Sequence, residues 1–534
     1  MLRHPNIARG SQPRVALPAV LAATVIACTA ASAAARAAGS CPDLMKFAAG
    51  PGVTLQKAES IPAGPLAAPP GAPPGPPAQA PAHCQVEGII GAHTGRDGKP
   101  YGIRFALALP DPWNGRLLYQ GGGGLNGSVQ PPLGATAAGD SSALARGFAV
   151  VSSDSGHQGQ GFDASFMADQ QALLDFLYQD IGKVMGVARP LVAAHYGNAV
   201  AHSYFVGCST GGREAMIAAQ RYPNEFDGIV AGAPAMRTNY SNLATSWIST
   251  QLNTIAPKDA QGRPQTGQAL SDGDRKLVVD GLLKACDALD GVQDGMIFNV
   301  RGCHFDPAVL QCPTRQKTDQ CLSAAQVAAI KTGFAGPRTP AGVAAYTGFA
   351  YDTGIGFKGM GLPGLLNGAF VPEGPQPTDT RMDVEARAAV AHDAREMAGD
   401  TDAWTNLSSY TAHGGKLIFF HGMSDPWFSA LDTVRYYEQL GGDSANGPGP
   451  VSDWSRLFLV PGMSHCGGGD ATLDQFDLLS AIVGWVEQGQ APAQVVATGH
   501  DFPGRSRPLC AYPQHAHYKG SGDPQSAANF SCRD

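Results

Sequence analysis

The sequence predicts an α/β fold, a largely parallel sheet with helices on its faces, on three observations. Strand-like runs at 103–107, 116–119 and 148–151 alternate with helical stretches such as 168–184, the pattern of strand and crossover helix. The pentapeptide Gly207-Cys208-Ser209-Thr210-Gly211 stands between the apolar run 203–206 and the helical stretch 212–219, so a strand turns sharply into a helix at Ser209. Two later apolar runs, 416–420 and 457–460, each end in a loop bearing a residue that could complete the chemistry of that serine.

Small residues around Ser209 allow a tight turn that exposes its hydroxyl above the sheet, with a helix N-terminus facing any developing negative charge. A serine needs a base, and the base needs an orienting carboxylate; both are sought in the order Ser, Asp, His at the ends of strands. The loop His421-Gly422-Met423-Ser424-Asp425 supplies Asp425, and Pro461-Gly462-Met463-Ser464-His465-Cys466 supplies His465. The run 121–124 is four glycines after the strand 116–119, and a loop without side chains lets backbone N–H groups approach a substrate oxygen. In enzymes of this plan that loop supplies one half of an oxyanion hole. The N–H of the residue after the nucleophile, here Thr210, supplies the other.

At 534 residues the chain suggests two domains or one domain with a large insertion. A net charge of −7 with no basic patch argues against nucleic acid as a partner. Only 15% of residues are charged, while 68 are glycine and 41 proline, so long loops are expected. Arg3, Arg9 and Arg14 precede an apolar segment at 15–28 and small residues up to 38, so 1–38 reads as an export signal, and the chain as secreted or periplasmic. The apolar segment is short for a bilayer span, and no other segment reads as transmembrane. Cleavage falls after Ala33 or near Ala38; alternatively 25–28 is a lipobox and Cys28 carries a lipid anchor.

Setting Cys28 aside leaves ten of the eleven cysteines, an even number for an oxidising compartment, in far too many pairings for spacing to settle. Cys208 precedes Ser209 and Cys466 follows His465, however. If serine and histidine meet, these neighbours fall within disulfide reach. Residues 60–82 are rich in Pro, Gly and Ala and read as a loop tied off between Cys41 and Cys84. Residues 235–405 show no clear strand-helix alternation and read as a lid domain inserted between a first core segment, 39–234, and a second, 406–534. Within the insertion, Asp287, Asp290 and Asp294 lie around two glycine-containing turns. They are hard oxygen donors suited to a structural calcium ion rather than zinc.

These motifs together, with Phe226-Asp227-Gly228-Ile229-Val230-Ala231-Gly232-Ala233-Pro234, resemble the tannase and feruloyl esterase family over nearly the whole mature chain. The resemblance implies an α/β-hydrolase core with a lid, a triad of Ser209, Asp425 and His465, and Gly124 as the oxyanion glycine. It implies calcium held by Asp287, Asp290 and Asp294 with the carbonyls of Val292 and Met296. It also implies the pairs Cys208–Cys466, Cys41–Cys84, Cys286–Cys303, Cys312–Cys321 and Cys510–Cys532. The activity implied is hydrolysis of small aromatic esters of hydroxycinnamic, gallic or related phenolic acids through an acyl-enzyme. A terephthalate monoester is the alternative substrate, and a catalytically silent surface-binding scaffold the alternative of another class. The lid segment 351–394 contains no tryptophan to stack on an aromatic acid, and offers Phe357, Phe370, Arg381 and Arg387 as aromatic or cationic candidates.

Overall fold

Strands of this protein send alternate residues to opposite faces, and in the centre of the sheet both sets are apolar, so both faces must be covered. In the computed structural model, which describes residues 39–65, 79–356, 378–393, 395–444 and 449–534, that requirement is met by a nine-stranded sheet. Its strands are β1 (Val53–Ile61), β2 (His83–Thr94), β3 (Pro100–Pro110), β4 (Arg116–Gln120), β5 (Ala149–Ser153), β6 (His202–Cys208), β7 (Gly228–Gly232), β8 (Lys416–Gly422) and β9 (Ser455–Val460). The spatial order is β1-β2-β3-β5-β4-β6-β7-β8-β9. Pairings from β1 to β5 are antiparallel, and those from β5 through β9 are parallel.

Leu117, Tyr119, Phe205, Ile229, Ala231, Leu417 and Phe419 face one side and pack against α1 (Asp180–Tyr196), α2 (Thr210–Arg221) and α7 (Ala430–Ser444). Their neighbours Leu118, Tyr204, Val206, Val230, Ile418 and Phe420 face the other side, covered by α8 (Leu478–Gln488). The helix expected at 168–184 begins later and runs further. A short helix at Gln170–Leu174 passes through a wider π-type turn at Asp175–Gln179 into α1, which ends at Gly197 in the left-handed conformation. Apolar residues Val187, Ala188, Leu191 and Val192 carry the buried face past Val184, and that burial outweighs the cost of Pro190 within the helix.

Between β7 and β8 the described residues add no strand to the sheet. They form α3 (Thr238–Asn253), α4 (Asp272–Cys286), α5 (Ala324–Phe334) and α6 (Val384–Ala391), and the first three share a separate apolar core. Contacts nevertheless unite the described residues into one compact unit. Arg237, at the start of the insertion, donates to Asp432 at 2.8 Å on α7 of the core. No helix among the described residues is long and apolar enough to cross a membrane. Residues 1–38, with Cys28 and the export signal, and Phe357 and Phe370 lie outside the described residues.

Candidate active site

Four loops leave the C-terminal ends of β4, β6, β8 and β9, and these carry the glycine run, Ser209, Asp425 and His465. In a parallel sheet those ends are where loops converge into a crevice. Ser209 sits between β6 and α2 at φ 65°, ψ −124°, a conformation costly for a residue with a side chain. The turn holds because its N–H donates to Gly232 O at 3.0 Å and its carbonyl accepts from Arg213 N at 3.0 Å and Ala235 N at 3.1 Å. Close approach explains the glycine at 211: a Cβ there would lie 2.6 Å from the carbonyl oxygen of Gly122. The serine side chain remains half-buried, while Cys208 and Thr210 on either side are buried.

Asp425 is fully enclosed and accepts four hydrogen bonds. Its Oδ1 takes the N–H groups of Trp427 at 2.8 Å and Phe428 at 3.1 Å, and its Oδ2 takes His465 Nδ1 at 2.6 Å and His421 Nε2 at 3.2 Å. Burial would raise the carboxyl, but the charges and hydrogen bonds of His465 and His421 win and hold it well below the usual carboxylate range. An ionised carboxylate only accepts, so the His465 proton sits on Nδ1 and its Nε2 carries the lone pair. That Nε2 is buried and makes no hydrogen bond among the described residues. The disulfide Cys208–Cys466, with Cα atoms 6.0 Å apart, ties the residue before Ser209 to the residue after His465. Trp427 and Phe428 enclose the imidazole, their ring centroids 4.7 and 5.3 Å from it.

The glycine loop lies against the start of α2. Gly121 N donates to Val206 O at 2.9 Å and Gly122 N to Glu214 at 2.8 Å, whereas the amides of Gly123 and Gly124 make no hydrogen bond among the described residues. The Thr210 hydroxyl donates to Gly124 O, which joins the two expected halves of the oxyanion hole directly. Gly124 has φ 59°, and a Cβ there would lie 2.5 Å from Gly161 O, so only glycine fits.

Three neighbours of the site went unassigned in the sequence reading. His421 is the last but one residue of β8, buried, with Nδ1 accepting from the Thr433 hydroxyl at 2.8 Å, so its remaining N–H supports Asp425. Its place inside the His-Gly-x-Ser-Asp loop was a readable signal. Asp352, from the insertion, accepts from Ser424 Oγ and from Gly462 N, both at 2.7 Å, and so touches the loops of both Asp425 and His465. Phe162 is 49% exposed with a ring edge against Gly124, an aromatic surface at the hole that no sequence pattern marked. Arg381 is exposed and Arg387 half-buried on α6.

In the aspartate loop, Asp287 and Asp290 are buried, and burial with the nearby charges of Asp294 and Asp287 pushes the Asp290 carboxyl up to about 7. Crowded carboxylates of this kind suit a divalent cation, as do the hard oxygen donors. No three acidic, histidine or cysteine side chains among the described residues converge to hold one, however. Instead Asp287 Oδ1 accepts from Asp294 N at 3.1 Å, Asp290 Oδ1 from Val292 N at 3.2 Å and Asp294 Oδ1 from Met296 N at 3.2 Å, while Arg507 pairs with Asp294 Oδ2. The donor chemistry fits calcium; the present arrangement is closed by the loop's own amides and Arg507. Among the described residues the disulfides are Cys41–Cys84, Cys208–Cys466, Cys286–Cys303, Cys312–Cys321 and Cys510–Cys532, as the family resemblance implied.

A family profile described as tannase and feruloyl esterase matches residues 84–360 and 378–533. The chain belongs to that family. It is 40% identical over 517 residues to the mono(2-hydroxyethyl) terephthalate hydrolase of Piscinibacter sakaiensis, covering 84% of each chain. It is 31% identical over 457 residues to a probable feruloyl esterase B-2 of Aspergillus terreus, covering 79% of this chain and 82% of the relative. Among solved structures, feruloyl esterase B from Aspergillus oryzae superposes with a TM-score of 0.72 at 26% identity, over 90% of this chain and 97% of that one. The tannin acyl hydrolase of Aspergillus niger shares the fold, with a TM-score of 0.66 at 21% identity, over 91% and 92%. Like its relatives in the family, this α/β protein is a carboxylic ester hydrolase.

Proposed function

We propose that this esterase cleaves esters of aromatic acids through a serine acyl-enzyme. The observation that carries the reading is the 2.6 Å bond from His465 Nδ1 to Asp425, which leaves Nε2 as a free base on a loop stapled to Ser209. His465 takes the Ser209 proton as the hydroxyl attacks the ester carbonyl; the N–H groups of Thr210 and Gly124 meet the oxyanion; protonated His465 then releases the alcohol. Water activated by the same imidazole hydrolyses the acyl-enzyme. Asp425 holds the tautomer and offsets the imidazolium charge.

The acyl group is an aromatic acid, with neutral phenolic esters preferred. Arg381 is exposed, and residues 351–394 supply no tryptophan, so a free-carboxylate substrate loses both a stacking and a charge-assisted contact. A terephthalate monoester is the second reading, favoured by the 40% identity to the terephthalate enzyme. Residues 235–405 act as a lid over the site, and calcium at Asp287, Asp290, Asp294 and the carbonyls of Val292 and Met296 stabilises it. Ten paired cysteines support function outside the cytoplasm, after removal of the 1–38 signal or with Cys28 lipidated.

Two measurements test this. A serine-directed phosphonate labels Ser209, as found by mass spectrometry; labelling elsewhere displaces the triad. The kcat/KM for methyl ferulate and methyl gallate exceeds that for mono(2-hydroxyethyl) terephthalate; the reverse order would favour the second reading.

A further inference from the structure

Glu214 lies on α2, five residues after the candidate nucleophile, with a relative exposure of 2%. A buried carboxylate is costly unless its oxygens are met by donors, and here both donors come from the glycine loop. Glu214 Oε2 accepts from Gly122 N at 2.8 Å, and Oε1 accepts from Asn126 Nδ2 at 2.6 Å. The two contacts grip the loop at both ends of 122–126. Between them each peptide is aimed by its neighbour: Gly122 O accepts from Gly211 N at 3.0 Å, and Gly123 O accepts from Asn126 N at 2.9 Å. In a trans peptide the N–H points opposite the carbonyl, so turning the carbonyls of Gly122 and Gly123 inward turns the N–H groups of Gly123 and Gly124 away from these contacts, toward the open side of the loop. Asn126 itself has φ 53°, an unfavourable backbone for a residue with a side chain, and its amide bond to Glu214 is one of the contacts that hold it there.

From this geometry we infer that Glu214 is the positioning residue of the oxyanion hole. It binds the glycine loop to the helix whose N-terminal amide, that of Thr210, forms the other half. One carboxylate thereby sets the spacing between the two donors, although it touches neither the substrate nor the oxyanion. The inference rests on the serine-triad reading above and adds to it which side chain fixes the hole.

Alanine removes both contacts at once. E214A is therefore expected to lower kcat about 100-fold or more, the scale of losing one oxyanion donor, with KM within threefold. Inhibition by an arylboronic acid, whose tetrahedral adduct on Ser209 occupies the hole, weakens in parallel. E214Q keeps both contacts in neutral form: its oxygen accepts from Gly122 N, and its NH2 donates to Asn126 Oδ1, which has no partner among the described residues, once that amide turns over. It recovers at least tenfold of the kcat lost in E214A. N126G keeps the positive φ and the Gly122 contact, and loses about tenfold in kcat at unchanged KM whether or not E214A folds.

Folded E214A with kcat within threefold of wild type overturns the inference, as does N126G at full activity. E214Q no better than E214A at equal melting temperature also overturns it. Phosphonate labelling of the wild type separates the two claims. No label on Ser209 refutes the triad itself, whereas a labelled Ser209 with an indifferent Glu214 refutes only the positioning role.

Discussion

Asp425→Asn is the sharpest test of the site because it changes one atom. The carboxylate accepts four hydrogen bonds, and the amide that replaces it has one oxygen and one NH2. The two backbone N–H groups on Oδ1 demand the oxygen, which leaves the NH2 facing His465 Nδ1. His465 must then accept at Nδ1 and carry its proton on Nε2, where it can no longer take the proton of Ser209. A wrong tautomer of this kind costs about 10⁴ in kcat, or about 5 kcal/mol of transition-state stabilisation. The same NH2 also confronts the N–H of His421, whose rearrangement gives up its 3.0 Å contact with Phe428 O, a stability cost of about 1 to 3 kcal/mol. Steady-state kinetics on a soluble ester show the fall in kcat with KM little changed, and melting curves show the stability loss. Because the Asp425 carboxyl is held below its usual range, its contribution to stability is complete above about pH 4, the unfolded value, and is lost as pH falls toward the folded one. The melting gap between wild type and variant therefore narrows below pH 4. A variant that keeps a tenth of wild-type kcat would refute the assignment of Asp425 and His465 as a pair.

Removing the Cys208–Cys466 bridge as C208A/C466A opens a separation of 258 residues, worth up to about 5 kcal/mol by chain entropy. Denaturant unfolding shows the loss, kcat falls at least tenfold, and unchanged kcat would mean that the sheet alone holds serine to histidine. His157 is buried, stacked on Phe166 with centroids 3.5 Å apart, and burial pushes it down to about 4. Between about pH 6.5 and that value the unfolded chain binds a proton that the folded chain refuses, so stability falls as pH drops, by about 3 kcal/mol in all. In H157F that part of the pH slope disappears; an identical slope in both proteins refutes it. A calcium ion bound only by the native state lowers the melting temperature when chelated and restores it when returned, about 2.7 kcal/mol at one hundred times Kd. A melting curve indifferent to verified removal of divalent ions would make the aspartate loop an acidic turn closed by Arg507.

What the sequence by itself determined was local. The apolar runs of β4 to β9 were legible because strands buried on both faces are almost wholly hydrophobic, and the turn at Ser209 because only small residues permit it. The triad candidates and the bridge between Cys208 and Cys466 were legible because each stands next to such a signal. The tertiary structure alone decided which distant groups meet. At the sheet edge β1 mixes exposed and half-buried residues with none buried, and β2 alternates buried with half-buried ones, so neither gave an apolar run of comparable strength. Helix α1 outran its expected end at Val184 because its buried face continues through Val192 despite Pro190. Glu214 lies five residues from Ser209 yet meets Gly122 92 residues away, and Asp352 meets Gly462 110 residues away. No periodicity or spacing encodes such meetings. A side chain's partner is fixed by where the sheet order places its strand, and that order emerges only when the whole core packs.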